Sequence, residues 1–114
     1  MNDQNINQYE LDARQKVVNL AQAMLDGNVS FFEGAVQIVN LKNKINGIKV
    51  QDVDFDVFVL IVSETDHLPL KAQQKFWSTE DLFNLKDEFL KTEEWARSFA
   101  LSACKNLIER FRIK

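Results

Sequence analysis

The residues best suited to chemistry stand together in the segment SETDH, where Glu64, Asp66 and the chain's one histidine, His67, supply carboxylates and an imidazole. Such groups can hold a metal ion or move a proton. The set is small for either task. A catalytic zinc takes three protein ligands, often two of them histidines, whereas Mg²⁺ or Mn²⁺ would accept carboxylates such as Glu33, Asp54, Asp56, Glu64 and Asp66. Glu64 and Asp66 are two positions apart, so on a regular helix they diverge, and only an irregular turn brings both to one ion. The plainer reading has Ser63, Thr65 and Asp66 ending a helix by bonding backbone groups of the turn before Pro69, with Glu64 paired to a lysine or arginine of a later helix. A metal-dependent enzyme or sensor using Glu64, Asp66 and His67 therefore stands second to a reading with no metal and no cofactor. No nucleophile system is visible either. Cys104 is the only thiol, it falls on a packed helix face far in sequence from His67, and the three glycines form no phosphate-binding or dinucleotide pattern. No catalytic residue is assigned, and the chain reads as a non-enzyme.

The element that must position this cluster precedes it. Phe55 to Val62 holds a single polar residue, Asp56, and so apolar a run predicts burial on nearly all sides. Its β-branched residues favour a strand, but Phe55, Phe58, Val59 and Val62 keep the spacing of a helix face, with Asp54 as N-cap, and no other segment offers a convincing strand partner. A helix is preferred. Pro69 disfavours helix at Leu68 and ends the element, which puts the polar cluster at the rim of the core.

Around it the sequence predicts an all-α fold, a compact bundle of about four helices in a single domain over 1–114. A first helix runs from about Asn5, after a frayed polar start, to Asp26, with Ala13, Val17, Leu20, Ala21 and Met24 on one face and Gly27 and Asn28 stopping it. Ser30 caps a second, with Glu33 completing a capping box, through to about Lys44. The Asn46-Gly47 signal allows a small hairpin between 41 and 53, although Lys42, Lys44 and Lys49 favour a solvated connection. After a short linker containing Gln73, Gln74 and Lys75, Ser78 starts one long helix to the C-terminus, on the series Leu82, Leu85, Phe89, Ala96, Phe99, Ala103, Leu107 and Phe111. Some 35 residues would span about 50 Å, so the helix is expected to bend near Lys91 or to project, its end covered by the first helix or by a second copy in a homodimer.

The formal charge of −3 argues against general nucleic-acid binding, which needs lysines and arginines on phosphates. The basic tail of Lys105, Arg110, Arg112 and Lys114 complements a helix C-terminus. No signal peptide and no apolar run of about 20 residues is present, so the expected compartment is the cytoplasm, with no membrane contact and a reduced Cys104. Aromatic residues are numerous, and most, Phe76 and Phe83 among them, are predicted as core. Trp77 and Trp95 are the exceptions. Trp95, flanked by Glu93, Glu94 and Arg97, is the best candidate for a partly exposed interface anchor, against the plainer role of covering the core edge.

The stretches SETDHLPLKAQQKFWSTEDL and ACKNLIERF, with FFEGA in the second helix, resemble a family of small bacterial proteins of unknown activity. The resemblance implies a compact helical domain and carries over no catalytic residue. A more generic likeness is to immunity proteins of contact-dependent growth inhibition, which plug toxin active sites. On this reading the chain binds a protein partner, a cognate toxin domain, through Asp54, Asp56, Glu64, Asp66, Trp77 and Trp95, the acids meeting a basic surface and a tryptophan anchoring it.

Overall fold

The computed structural model describes residues 7–112 as six helices with no strand among them. They are α1 (Gln8–Leu25), α2 (Phe31–Lys42), α3 (Val53–Glu64), α4 (Lys71–Gln74), α5 (Thr79–Asn84) and α6 (Lys86–Phe111). α1 packs on α2 and α6, and α3 packs on the same two, so α6 is a shared wall of the bundle. Phe31, Ile38, Phe55, Phe58, Ile61 and Leu107 are fully buried in a core drawn from all four long helices.

Each helix end has a local cause. Asn7 accepts the Glu10 amide at 2.8 Å and starts α1, while the expected start at Asn5 lies outside the described residues. α1 ends as predicted at Gly27, which takes φ 81°, as a left-handed cap requires. There the Asn28 amide donates to Ala23 and the Gly27 amide to Met24, the paired bonds of a Schellman motif. Ser30 Oγ accepts the Glu33 amide at 3.0 Å. The capping box is only half formed, because the Glu33 carboxylate instead accepts the Lys71 amide at 2.8 Å and ties α4 to α2. The remaining free amides of α2, on Phe31 and Phe32, donate to the Glu93 carboxylate of α6 at 3.0 and 2.8 Å.

The hairpin over 41–53 does not form. Ile45 turns into the core, Asn46 donates through its backbone and side chain to the buried Glu10, at 3.3 and 3.0 Å, and Val50 points outward with no strand facing it. Flanks this short cannot compete with a buried carboxylate that needs donors. The cap of α3 lies two residues before the predicted one, because Asp52 rather than Asp54 accepts the Asp54 and Phe55 amides. Asp54 and Asp52 both bind Arg110 of α6, at 3.0 and 2.8 Å, and the guanidinium lies 5.8 Å from the Phe55 ring centroid and 5.1 Å from that of Phe111.

Two further expectations are corrected. The apolar run of α3 is not covered all round: Phe55, Phe58 and Ile61 are buried, but Val59 and Leu60 stand 40 % and 46 % exposed, since only α2 and α6 flank the helix. The long C-terminal helix is not continuous from Ser78. It breaks at Leu85, whose ψ of −5° departs from the helical value of about −42°, and α6 starts after it. The 26 residues of α6 span about 39 Å, more than the 28 and 25 Å short axes, so the helix runs along the 56 Å long axis, and its first half, which buries no residue before Ala96, projects from the bundle. The radius of gyration, 15.4 Å, exceeds the roughly 13 Å of a fully compact chain this long accordingly.

α1 and α2 touch at Gly34, where a Cβ would meet Met24 Sδ at 2.4 Å, and Met24 is itself 1 % exposed. Gly34→Ala should therefore lower stability by about 1–2 kcal/mol in urea unfolding, overpacking outweighing the roughly 1 kcal/mol of helix propensity gained. Paired with Met24→Ala, it should cost less than the sum of the two. Arg110→Ala should cost about 1–2 kcal/mol at neutral pH through the lost ion pairs and ring contacts. The Asp52 carboxyl is held below its usual 3.8, chiefly by its hydrogen bond from Arg110. Its contribution is thus present above that value and lost as the pH falls through the lowered one, so the gap between variant and native protein should close in acid.

Candidate functional site

The projecting end carries the surface chemistry. From Leu70 to Trp95 no residue is buried, although the segment holds Phe76, Trp77, Leu82, Phe83, Phe89, Leu90 and Trp95. Phe76 is 80 % exposed and Phe83 70 %, which overturns their assignment to the core: helical spacing was read across a stretch where the chain turns and no second helix lies opposite.

Three elements assemble the site. α3 ends where Thr65, buried, donates its hydroxyl to the Ile61 carbonyl at 2.6 Å, back into the last turn of the helix rather than, as expected, to the turn before Pro69. The following turn is pinned by the buried Leu68 and Pro69, and the Pro69 carbonyl accepts from Gln74. Opposite runs the first half of α6, where Glu88, Lys91, Thr92 and Trp95, at helical spacing, share one face. Glu64, Thr65, Glu88, Lys91, Thr92 and Trp95 line an open cleft of about 270 Å³. The indole of Trp95 is steadied edge-on against Phe99, ring centroids 4.9 Å apart. Beside it Asp66, His67, Leu68, Pro69, Gln73, Phe76 and Trp77 line a second recess of about 310 Å³. Glu88 joins the two recesses, since its carboxylate pairs with His67 Nε2.

The six residues singled out from sequence divide between two ends of α3. Glu64 shares the first recess with Trp95, and Asp66 shares the second with Trp77. Asp54 and Asp56 sit in the first turn of the same helix, about 12–15 Å along its axis from Glu64. Asp54 is engaged by Arg110 and by Asn106, whose amide donates to it at 3.0 Å, and Asp56 is exposed beside it. Sequence reasoning missed Glu88 and Phe76. The spacing of Glu88 from Thr92 and Trp95 was readable, but nothing local shows that His67 comes to it across 21 positions. Glu64, expected to pair with a cation of the long helix, makes no ion pair among the described residues, although Lys91 lines the same cleft.

Chemically, carboxylates, threonine hydroxyls and an indole face offer hydrogen-bond acceptors and a π surface, a set that receives a cationic side chain. Among the described residues no three of His, Cys, Asp or Glu approach closely enough to hold a metal ion. Cys104 is buried in the bundle, and burial pushes its thiol up to about 12, which leaves it protonated and unreactive. No helix of the described residues is long and apolar enough to cross a membrane.

A family model described as "Protein of unknown function (DUF2489)" matches residues 2–107. Neither a curated protein nor a solved structure matches the chain.

The hydrogen bond to Glu88, with smaller help from the charges of Glu88 and Asp66, holds the His67 imidazole above its ordinary 6.5. Its hold on the α3–α4 turn is therefore complete below that value and fades as the pH rises through the raised one. An NMR titration should place the His67 midpoint above 6.5, and Glu88→Gln should bring it back down.

Proposed function

We propose that this chain, which belongs to the DUF2489 family, is a non-enzymatic protein-binding module whose contact surface is the acid and tryptophan face of its projecting end. The observation that carries this reading is the exposure of Phe76, Trp77 and Trp95 beside Glu64, Asp66 and Glu88 on a segment with no buried residue. Exposed aromatics bordered by charge are what a desolvated interface centre with a polar rim looks like before its partner arrives.

The partner suited to this face presents lysine or arginine. Glu64, Asp66 and Glu88 would hasten encounter with it, and a guanidinium over the Trp95 ring would anchor it. Asp54 takes no part in this version of the surface, being tied to Arg110. Among basic partners we favour a toxin domain, whose own action on a polyanion would require the cations that these acids meet; the chain would then serve as its immunity protein by covering them.

A photo-reactive residue in place of Lys91, at the edge of the Trp95 cleft, should label a protein partner in cells, and the same group in place of the remote, exposed Val50 should not. Affinity for the captured partner should fall about a hundredfold in Glu64→Lys/Asp66→Lys and in Trp95→Ala, and should weaken with salt. Affinity indifferent to salt and to all three substitutions would remove this surface as the binding site.

A further inference from the structure

The tryptophan face already holds a cation, and it is the chain's own. Glu88 lines the Trp95 cleft, yet its carboxylate is taken by His67 Nε2 from the facing turn. On α6, Glu88 lies two turns before Trp95, about 10 Å along the helix and on the same face. The imidazolium therefore stands where a lysine or arginine of another molecule would stand if that molecule reached across from the indole to Glu88. The turn does not depend on this pair alone, since Leu68 is buried and its amide donates to the Thr65 carbonyl at 3.0 Å. Both side chains of the pair are open to exchange, 55 % exposed for His67 and 45 % for Glu88.

We infer, on the reading that this face binds a basic protein, that His67 is a placeholder for the partner's cation at Glu88, displaced on binding, so that recognition expels a proton. The imidazolium, once it loses the carboxylate that stabilises it, gives that proton to water, and the partner's guanidinium or ammonium takes over the charge of Glu88. The charges facing His67 are few. Glu88 comes from α6 and Asp66 from its own turn, and both favour the charged ring, Glu88 foremost through its hydrogen bond. The stretch after the turn lends Gln73, Phe76 and Trp77 to the same recess, none of which titrates, while Lys75 lies over the Phe76 ring, 5.2 Å from its centroid. Lys91 of α6 lines the Trp95 cleft and makes no ion pair among the described residues. A cation that takes Glu88 thus removes the largest influence holding the proton, and binding and protonation weaken each other by the same factor. With a neutral imidazole, Glu88 is unpaired and the face is one charge more negative. Basic partners would bind well above the His67 midpoint and poorly below it.

A hexaarginine peptide serves as the probe, titrated into the full chain to about 5 mM with the His67 ring and the Trp95 indole followed by NMR. Saturating peptide should lower the His67 midpoint by about 0.5–1, which corresponds to an affinity about three- to tenfold higher at about pH 8.5 than at about pH 5.5. His67→Gln puts a side chain that does not titrate in its place, and should make the affinity equal at both pH values while the Trp95 response persists. A Trp95 signal that moves while the His67 midpoint stays fixed would overturn this inference and leave the binding reading standing. So would a pH dependence that survives in His67→Gln. An indole that the peptide moves at neither pH, in the native chain or in His67→Gln, would overturn both.

Discussion

Three helices pack on one long helix, and they can do so because its facing side is nearly flat. Ala96, Ala100, Ala103 and Cys104 are all buried there, and small side chains at successive turns let neighbouring backbones come close from more than one direction. Leu107 and Phe111 fill the space that widens toward the C-terminus, where Phe111 meets Phe55 of α3 with ring centroids 6.1 Å apart. The same small-residue stripe stops at Ala96. Before it most side chains are long or aromatic, only Phe89, edge-on to Phe32, and Glu93, bonded to the start of α2, reach the bundle, no residue is buried, and α6 passes from a structural wall into a largely exposed rod.

Carboxylates tie the elements of the bundle to one another. Glu10 is buried and gathers Arg14 and the Asn46 turn, Glu33 holds the first amide of α4, Asp52 and Asp54 clamp Arg110, and Glu93 satisfies the start of α2 from across the bundle. Each places negative charge at a helix N-terminus or beside a guanidinium, where it is favoured. Five of the seventeen acids are committed to the fold in this way. At the other, projecting end Glu64 and Glu88 line one aromatic recess and Asp66 the other.

Elements set by nearby residues were legible in the sequence. Ser30 caps the helix it was assigned, Ser78 is a cap but of the short α5 rather than of one long helix, Gly27 stops α1 where a left-handed residue is needed, and the all-helical character follows from faces repeating at three and four positions. What escaped was decided at a distance. Asp54 looked like a cap and a contact residue until Arg110, 56 positions away, was found to occupy it. Glu33 left its capping box for Lys71, and the Asn46-Gly47 turn yielded no hairpin because Glu10 took its donors. Phe76 and Phe83 misled for a related reason: burial depends on what lies opposite, and that is absent from any local pattern. At the site, Trp95 and Glu64 were legible as residue types, but their meeting in one cleft was not.

The chain's two tryptophans, Trp77 and Trp95, both belong to the projecting end, and none lies among the buried residues of the bundle. Intrinsic tryptophan emission is therefore a private reporter of that end, while far-ultraviolet dichroism is dominated by the four long helices. In a single melting experiment the two signals would follow separate parts of the molecule, and the spread between their midpoints would measure how tightly the rod is coupled to the bundle it grows from.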